Sequence, residues 1–169
     1  MALAGNMTAF ETIVHRYEAL VAKITIPMLG NNYDADDIGQ ETFIRFYKSM
    51  KQFKGDSKLS TYLARIAINL SLNEIKKRSK QRTISDIDLN QNSIPFIDNE
   101  STTDATELVN IALSMLDIKY RSIIVLRYIQ GFSTKETASI LNLPLGTVLS
   151  RLSRGQEKLK LIITKLNKS

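Results

Sequence analysis

The chain lacks cysteine and tryptophan altogether and has only three prolines and seven glycines among its 169 residues. Without cysteine, disulfide bonds, zinc fingers and thiol catalysis are excluded, and the protein does not depend on an oxidising compartment. A long apolar run is also missing, because residues 24–29 are too few to cross a membrane and include Pro27. We therefore expect a cytoplasmic protein without an export signal or membrane insertion.

Because proline and glycine are scarce, few residues interrupt helices, and apolar residues recur at spacings of three and four rather than in alternation. This pattern predicts an all-α protein. Between two helical halves lies a stretch that contains many Asn, Ser and Thr residues and whose charged residues are all acidic. We interpret the chain as two small helical domains, residues 8–82 and 105–168, joined by a flexible acidic linker, residues 83–104.

The caps and breaks within these halves predict where individual helices begin and end. Asp34 is predicted to cap the second helix, and Gly155 in the last helix predicts close packing against the preceding helix, since glycine there costs about 1 kcal/mol relative to alanine. The predicted helices cover, in order, residues 8–28, 34–53, 57–82, 108–116, 119–130, 133–141 and 145 onward.

Positive charge exceeds negative charge, with 23 Lys and Arg against 17 Asp and Glu and a net charge of +6. This balance favours a polyanionic partner, although charge alone fits nucleic acid, an acidic membrane surface or simple solubility. The distribution is more informative, because a basic run at residues 76–82 ends the third predicted helix. Such a run can bind duplex phosphates or can simply be solvated.

The second half contains the pattern of a helix-turn-helix. Ser133 and Glu136 have the spacing of a capping box, which opens a short helix, and Pro144 precedes the first turn of a long one. A short helix, a tight turn and a longer helix with a polar exposed face are typical of proteins that bind the major groove. The alternative is an ordinary solvated face. The exposed face is predicted to carry Thr147, Ser150, Arg151, Arg154 and Lys158.

Five segments resemble the extracytoplasmic-function sigma factors of the sigma-70 family. Residues 34–43 (DADDIGQETF), 53–57 (FKGDS) and 60–69 (STYLARIAIN) resemble domain two, and residues 127–133 (RYIQGFS) and 143–154 (LPLGTVLSRLSR) resemble domain four. The resemblance covers nearly the whole chain in the right order. It implies an alternative sigma factor, not an enzyme and without a cofactor, which binds core RNA polymerase and directs promoter-specific transcription initiation. It also implies an anti-sigma factor as a partner.

The resemblance implies three sites. The residues for docking on core polymerase are Asp36, Asp37, Gln40 and Glu41. Those for the minus-ten element, both duplex and opened single strand, are Phe53, Lys54, Ser57, Lys58, Thr61, Tyr62, Arg65, Asn69, Asn73, Lys76, Lys77 and Arg78. Those for the minus-thirty-five element are Gly146, Thr147, Ser150, Arg151, Arg154 and Lys158.

Three positions depart from the family pattern. Asn73 stands where many members have Asp, Asp117 replaces a frequent Pro, and Leu149 replaces a frequent Lys. The missing lysine is expected to remove one phosphate contact and to weaken the salt dependence of DNA binding slightly. These departures bear on promoter sequence more than on the class of function.

Several alternatives stay open at this point. Tyr62 can stack on an unpaired base or can be a core residue, and acids in the first turn of a helix also stabilise the helix dipole. The chain could be a helix-turn-helix regulator that does not bind polymerase, or a metal-dependent nucleic-acid enzyme using the acids of residues 34–41. We expect no metal site and no catalysis, because neither a nucleophile with a base nor a phosphate-cradling loop is visible. The linker is hypothesised to follow the basic RNA path of the polymerase.

Overall fold

The structure, a computed structural model, describes residues 7–30, 32–85 and 104–169, so most of the predicted linker lies outside the described residues. The described residues form seven α-helices and no strand, which confirms the all-α prediction. The helices are α1 (Met7–Leu29), α2 (Tyr33–Ser49), α3 (Leu59–Ser85), α4 (Asp104–Ser114), α5 (Ile118–Ile124), α6 (Thr134–Leu141) and α7 (Leu145–Asn167). A 3₁₀ turn, Met50–Gln52, follows α2, and a π-helical turn, Val125–Ile129, continues α5.

The start of α2 differs from the sequence prediction. Its N-cap is Asn32, whose side-chain oxygen accepts hydrogen bonds from the backbone N–H groups of Asp34 (3.1 Å) and Ala35 (3.2 Å). Gly30, at φ 91°, turns the chain before this cap, so the helix starts earlier than predicted. Asp34 is therefore wrong as the capping residue. Its carboxylate forms an ion pair with Arg78 on α3.

Helix α3 starts at Leu59, two residues later than predicted, and continues to Ser85. Residues 83–85, which we predicted as the beginning of the linker, are therefore helical. Its inward side packs against α1 and α2 through Leu63, Ala67 and Ile68, all of which are buried. This three-helix packing fixes the side of α3 that remains accessible.

The helix-turn-helix of the second half matches its prediction closely. The Ser133 hydroxyl accepts from the Glu136 backbone N–H (3.1 Å) and the Glu136 carboxylate accepts from the Ser133 backbone N–H (2.8 Å), which is the predicted capping box. Helix α6 ends at Asn142, whose φ of 52° is left-handed, a conformation that asparagine tolerates better than most residues. Helix α7 then begins directly after Pro144.

Gly155 is buried in α7 and allows a close helix crossing. A Cβ atom at this position would lie 3.2 Å from the Tyr120 Cβ and 3.5 Å from a side-chain carbon of Ile124. The predicted close packing is thus present. The contacted helix is α5, however, and not α6, the helix that directly precedes α7.

The two halves share one continuous hydrophobic core, whereas the sequence suggested two separate thin cores. At their junction the buried Arg121 guanidinium donates to the backbone oxygens of Met28 (2.9 Å), Ser114 (2.7 Å) and Leu116 (2.9 Å). Burial lowers the pKa of Arg121, and the nearby Asp117 carboxylate opposes this shift. One arginine therefore joins the end of α1 to the segment between α4 and α5. Nothing in the sequence pattern singled it out.

Candidate nucleic-acid interface

The four residues predicted to dock on polymerase lie together on α2. Asp36, Asp37 and Gln40 are exposed. Glu41 is partly exposed, and its carboxylate accepts a hydrogen bond from the Arg45 Nε at 3.0 Å. The Asp37 and Gln40 side chains face outward and do not contribute to the core. The structure therefore brings the predicted acidic set to one accessible helix face.

Two apolar residues on the same face were missed by the sequence reasoning. Tyr33 is 79% exposed and Ile44 is also exposed, although both are large and hydrophobic. Residues 33, 37, 40 and 44 are spaced by four, three and four, so they form a single stripe along α2. That spacing was readable in the sequence. The spacing alone does not show whether Tyr33 and Ile44 are buried or exposed.

Most residues predicted for the minus-ten element form an accessible polar surface along α3 and the loop before it. Phe53, Ser57, Tyr62 and Arg65 are half-buried, while Thr61, at 6% exposed, faces the core, so the structure does not bring Thr61 to this surface. The exposed members are Lys54, Lys58, Asn69, Asn73, Lys76 and Lys77.

Tyr62 is held by its neighbours. Its hydroxyl donates to the Ser49 Oγ at 3.0 Å, and its ring lies 5.0 Å from the Phe53 ring and 6.2 Å from the Phe46 ring, between centroids. These contacts indicate that Tyr62 is a core residue rather than a side chain free to stack on an unpaired base. They also fix Phe53 against the start of α3, and Phe53 keeps an accessible side.

Arg78 is bound within the protein rather than free for phosphates. Its guanidinium pairs with Asp34, lies 3.6 Å from the Glu74 carboxylate, and donates to the Leu29 backbone oxygen at 3.3 Å. These contacts tie α3 to the turn between α1 and α2. The neighbouring Lys76 and Lys77 are the accessible cations of the basic run.

The predicted minus-thirty-five residues lie in the first four turns of α7. Gly146, Ser150, Arg154 and Lys158 are exposed, and Thr147 and Arg151 are half-buried. Val148, between Thr147 and Ser150 in sequence, is fully buried and anchors α7 to the core.

The hydrogen bonds from the backbone and hydroxyl of Ser133 lower the pKa of Glu136 on α6, and Lys58 adds to this shift. The carboxylate therefore stays ionised in the cap.

Within the described residues, no group of three or more His or acidic side chains could hold a metal ion. In the same residues, no helix has the length and apolar content needed to cross a membrane. The exposed cations and amides on α3 and α7 suit contacts with nucleic acid, whereas the exposed acids on α2 suit a different partner.

Comparison with known proteins agrees with both halves. The family Sigma-70 region 2 matches residues 13–81, and Sigma-70 region 4 matches residues 109–159. The chain is 35% identical to the ECF RNA polymerase sigma factor SigW of Bacillus subtilis, over 92% of this chain and 89% of that protein. It belongs to the ECF RNA polymerase sigma factors. This sigma factor is also 30% identical to the ECF RNA polymerase sigma-E factor of Escherichia coli K12, over 90% of this chain and 85% of that protein.

Two solved structures share the fold. One is the sigma factor RpoE of Bartonella quintana in complex with the anti-sigma factor NepR, with a TM-score of 0.77, 23% identity and coverage of 92% of this chain and 97% of that one. The other is CnrH in complex with the cytosolic domain of CnrY, with a TM-score of 0.71, 24% identity and coverage of 97% and 93%. These two likenesses show the all-α fold, and the family matches to both halves show that the chain is an alternative sigma factor.

In this sigma factor the two helical halves contact each other. The Arg65 guanidinium of α3 donates to the Ser139 Oγ of α6 at 2.9 Å, and the Lys58 Nζ lies 4.0 Å from the Glu136 Oε1. Both cations belong to the predicted minus-ten set. The contact therefore places part of that surface against α6, the helix that precedes α7, which is predicted to contact the minus-thirty-five element.

Proposed function

We propose that this sigma factor docks on core RNA polymerase through the outer stripe of α2. The observation that carries the proposal is the exposure of Asp37 and Gln40 between the exposed apolar residues Tyr33 and Ile44. Protein interfaces combine apolar anchors with a polar surround, and aromatic side chains are enriched among the anchors. Because all four side chains of this stripe face outward, they do not stabilise the core of the fold.

The same proposal assigns promoter contacts to α3 and α7. Lys54, Asn69 and Asn73 would meet the opened minus-ten strand, and Lys76 and Lys77 the adjacent duplex phosphates. Ser150 and Arg154 would enter the major groove of the minus-thirty-five element. The free energy that opens the duplex would come from these contacts, and no catalytic chemistry is assigned to the chain.

Further parts of the proposal rest on the family. The sigma factor RpoE of Bartonella quintana was solved in complex with the anti-sigma factor NepR, and we propose a partner of this kind here. Because bacterial core polymerase and its DNA are cytoplasmic, we place this sigma factor in the cytoplasm. The domain bounds 8–82 and 105–168, the linker 83–104, whose first three residues continue helix α3, and the linker's path through the polymerase are parts of the same proposal.

The docking proposal is tested by measuring the affinity of the full chain for core polymerase. The double variant Asp37→Ala with Gln40→Ala is expected to weaken binding by roughly tenfold or more, since residues in the centre of an interface each cost about 1–2 kcal/mol on truncation. Glu11→Ala, an exposed acid on α1, is the matched control and should leave the affinity unchanged. Equal affinity of the double variant and the control would contradict docking through α2 and would favour the regulator alternative.

A further inference from the structure

An exposed leucine stands near the beginning of the helix proposed to read DNA. Leu149 is 51% exposed, whereas Val148 beside it is fully buried. Successive helical residues are about 100° apart, so Leu149 lies on the flank between the buried face and the face that carries Gly146, Ser150 and Ser153. Its side chain therefore borders the proposed DNA-reading surface and does not belong to the core.

The residues around Leu149 leave its methyl groups accessible. Its neighbours on the helix surface are Leu145 and Gly146 on the preceding turn and Leu152 and Ser153 on the following turn, and Leu145 is itself 43% exposed. A Cβ atom added at Gly146 would meet nothing within 4 Å, so the space beside Leu149 is open. Leu149 therefore projects beyond Gly146 and Ser153 on the side of the helix that these two residues share.

Resting on the proposed role of α7, we propose that Leu149 is a specificity-determining residue that contacts the methyl group of a thymine in the minus-thirty-five element. The C5 methyl of thymine is the apolar group that the major groove offers to an apolar side chain. A lysine at this position would instead pair with a phosphate or a guanine. Leucine in place of lysine thus exchanges an electrostatic contact for an apolar contact that depends on one methyl group.

The test uses the full chain with core polymerase and synthetic promoters. Run-off transcription from a library with a randomised upstream element first identifies the preferred sequence. Each thymine of that sequence is then replaced singly by deoxyuridine, which removes only the methyl group. We expect a roughly fourfold loss of promoter affinity at one position, the size that burial of one methyl-sized group predicts.

Variants connect this loss to the leucine. Leu149→Ala should bind the thymine and deoxyuridine promoters equally, and Leu149→Lys should do the same while steepening the salt dependence of binding by about one phosphate contact. The matched control is Leu161→Ala, which truncates a leucine of the same helix that is 63% exposed and remote from the proposed groove contact. It should retain the fourfold preference for thymine.

The outcomes separate this inference from the proposed function. If the protein selects an upstream sequence but no deoxyuridine substitution has an effect that depends on residue 149, the thymine contact is overturned and the role of α7 stands. If no upstream sequence is selected at all, both are overturned. If Leu149→Ala weakens binding to core polymerase but keeps the preference for thymine over deoxyuridine, Leu149 contacts protein, and the inference is overturned.

Discussion

Arg121 is a charged side chain inside the apolar contact between the two halves, with 9% of its surface exposed. Its hydrogen bonds to three backbone oxygens replace the water that it loses on burial. The sequence around it, with Tyr120 and Ile124 nearby, predicts only an ordinary amphipathic helix. A buried arginine is recognisable only when its acceptors are known, and one of them is 93 residues away in the chain.

We predict that Arg121→Met lowers the free energy of unfolding by about 2–3 kcal/mol, because methionine fills the volume of the stem but leaves buried carbonyl oxygens without donors. Urea unfolding followed by circular dichroism measures the change. Arg154→Met, at an exposed site on α7, is the control and should stay within about 0.5 kcal/mol of the parent. If the urea midpoint of Arg121→Met equals that of the parent protein, the hydrogen bonds of Arg121 contribute little to stability.

At the scale of the element, the capping box of α6 positions the start of the helix-turn-helix. We predict that Ser133→Ala lowers the free energy of unfolding by about 1 kcal/mol and moves the pKa of Glu136 back towards its ordinary value of 4.5. The folded-state pKa of Glu136 is depressed, so its stabilising contribution is complete at neutral pH. This stabilising contribution is lost as the pH falls from 4.5 to below the depressed pKa that Glu136 has in the folded protein.

Urea unfolding across this pH range, together with an NMR titration of the Glu136 carboxyl group, measures both effects. Ser153→Ala removes an exposed serine of α7 that caps nothing and is the matched control. The hydrogen bond from the backbone N–H at position 133, the largest cause of the shift, persists in Ser133→Ala, so a Glu136 titration that this variant leaves unmoved would contradict only the contribution of the Ser133 hydroxyl.

The elements show which local signals could be read without the structure. The capping box and the turn before α7 were predictable because each depends on residues within four positions of one another. The start of α2 was not, because Asn32 and Asp34 are both good caps and the choice between them depends on Arg78, 44 residues away in sequence. The exposed stripe on α2 was visible as a spacing, but its exposure depends on where α1 and α3 pack.

At the scale of the whole molecule, the arrangement seen here cannot bind both promoter elements at once. Elements named for positions ten and thirty-five are about 25 base pairs apart, or roughly 85 Å at 3.4 Å per base pair. A folded chain of this length is only about 40 Å across. The Arg65 guanidinium is also hydrogen-bonded to Ser139 of α6. The sequence anticipated two separable halves but could not predict that they share a core, because the contacts join distant segments.

The central claim is that α3 and α7 of one chain contact two promoter elements simultaneously, which requires the halves to separate. The absence of cysteine allows a unique pair of dyes at Lys51→Cys and Lys135→Cys, both exposed and one in each half. Energy transfer between them should be high in the free protein and should fall strongly when core polymerase and promoter DNA are added. A control pair at Lys23→Cys and Lys51→Cys, within the first half, should not change. Energy transfer that stays high in a transcriptionally active promoter complex would contradict the account.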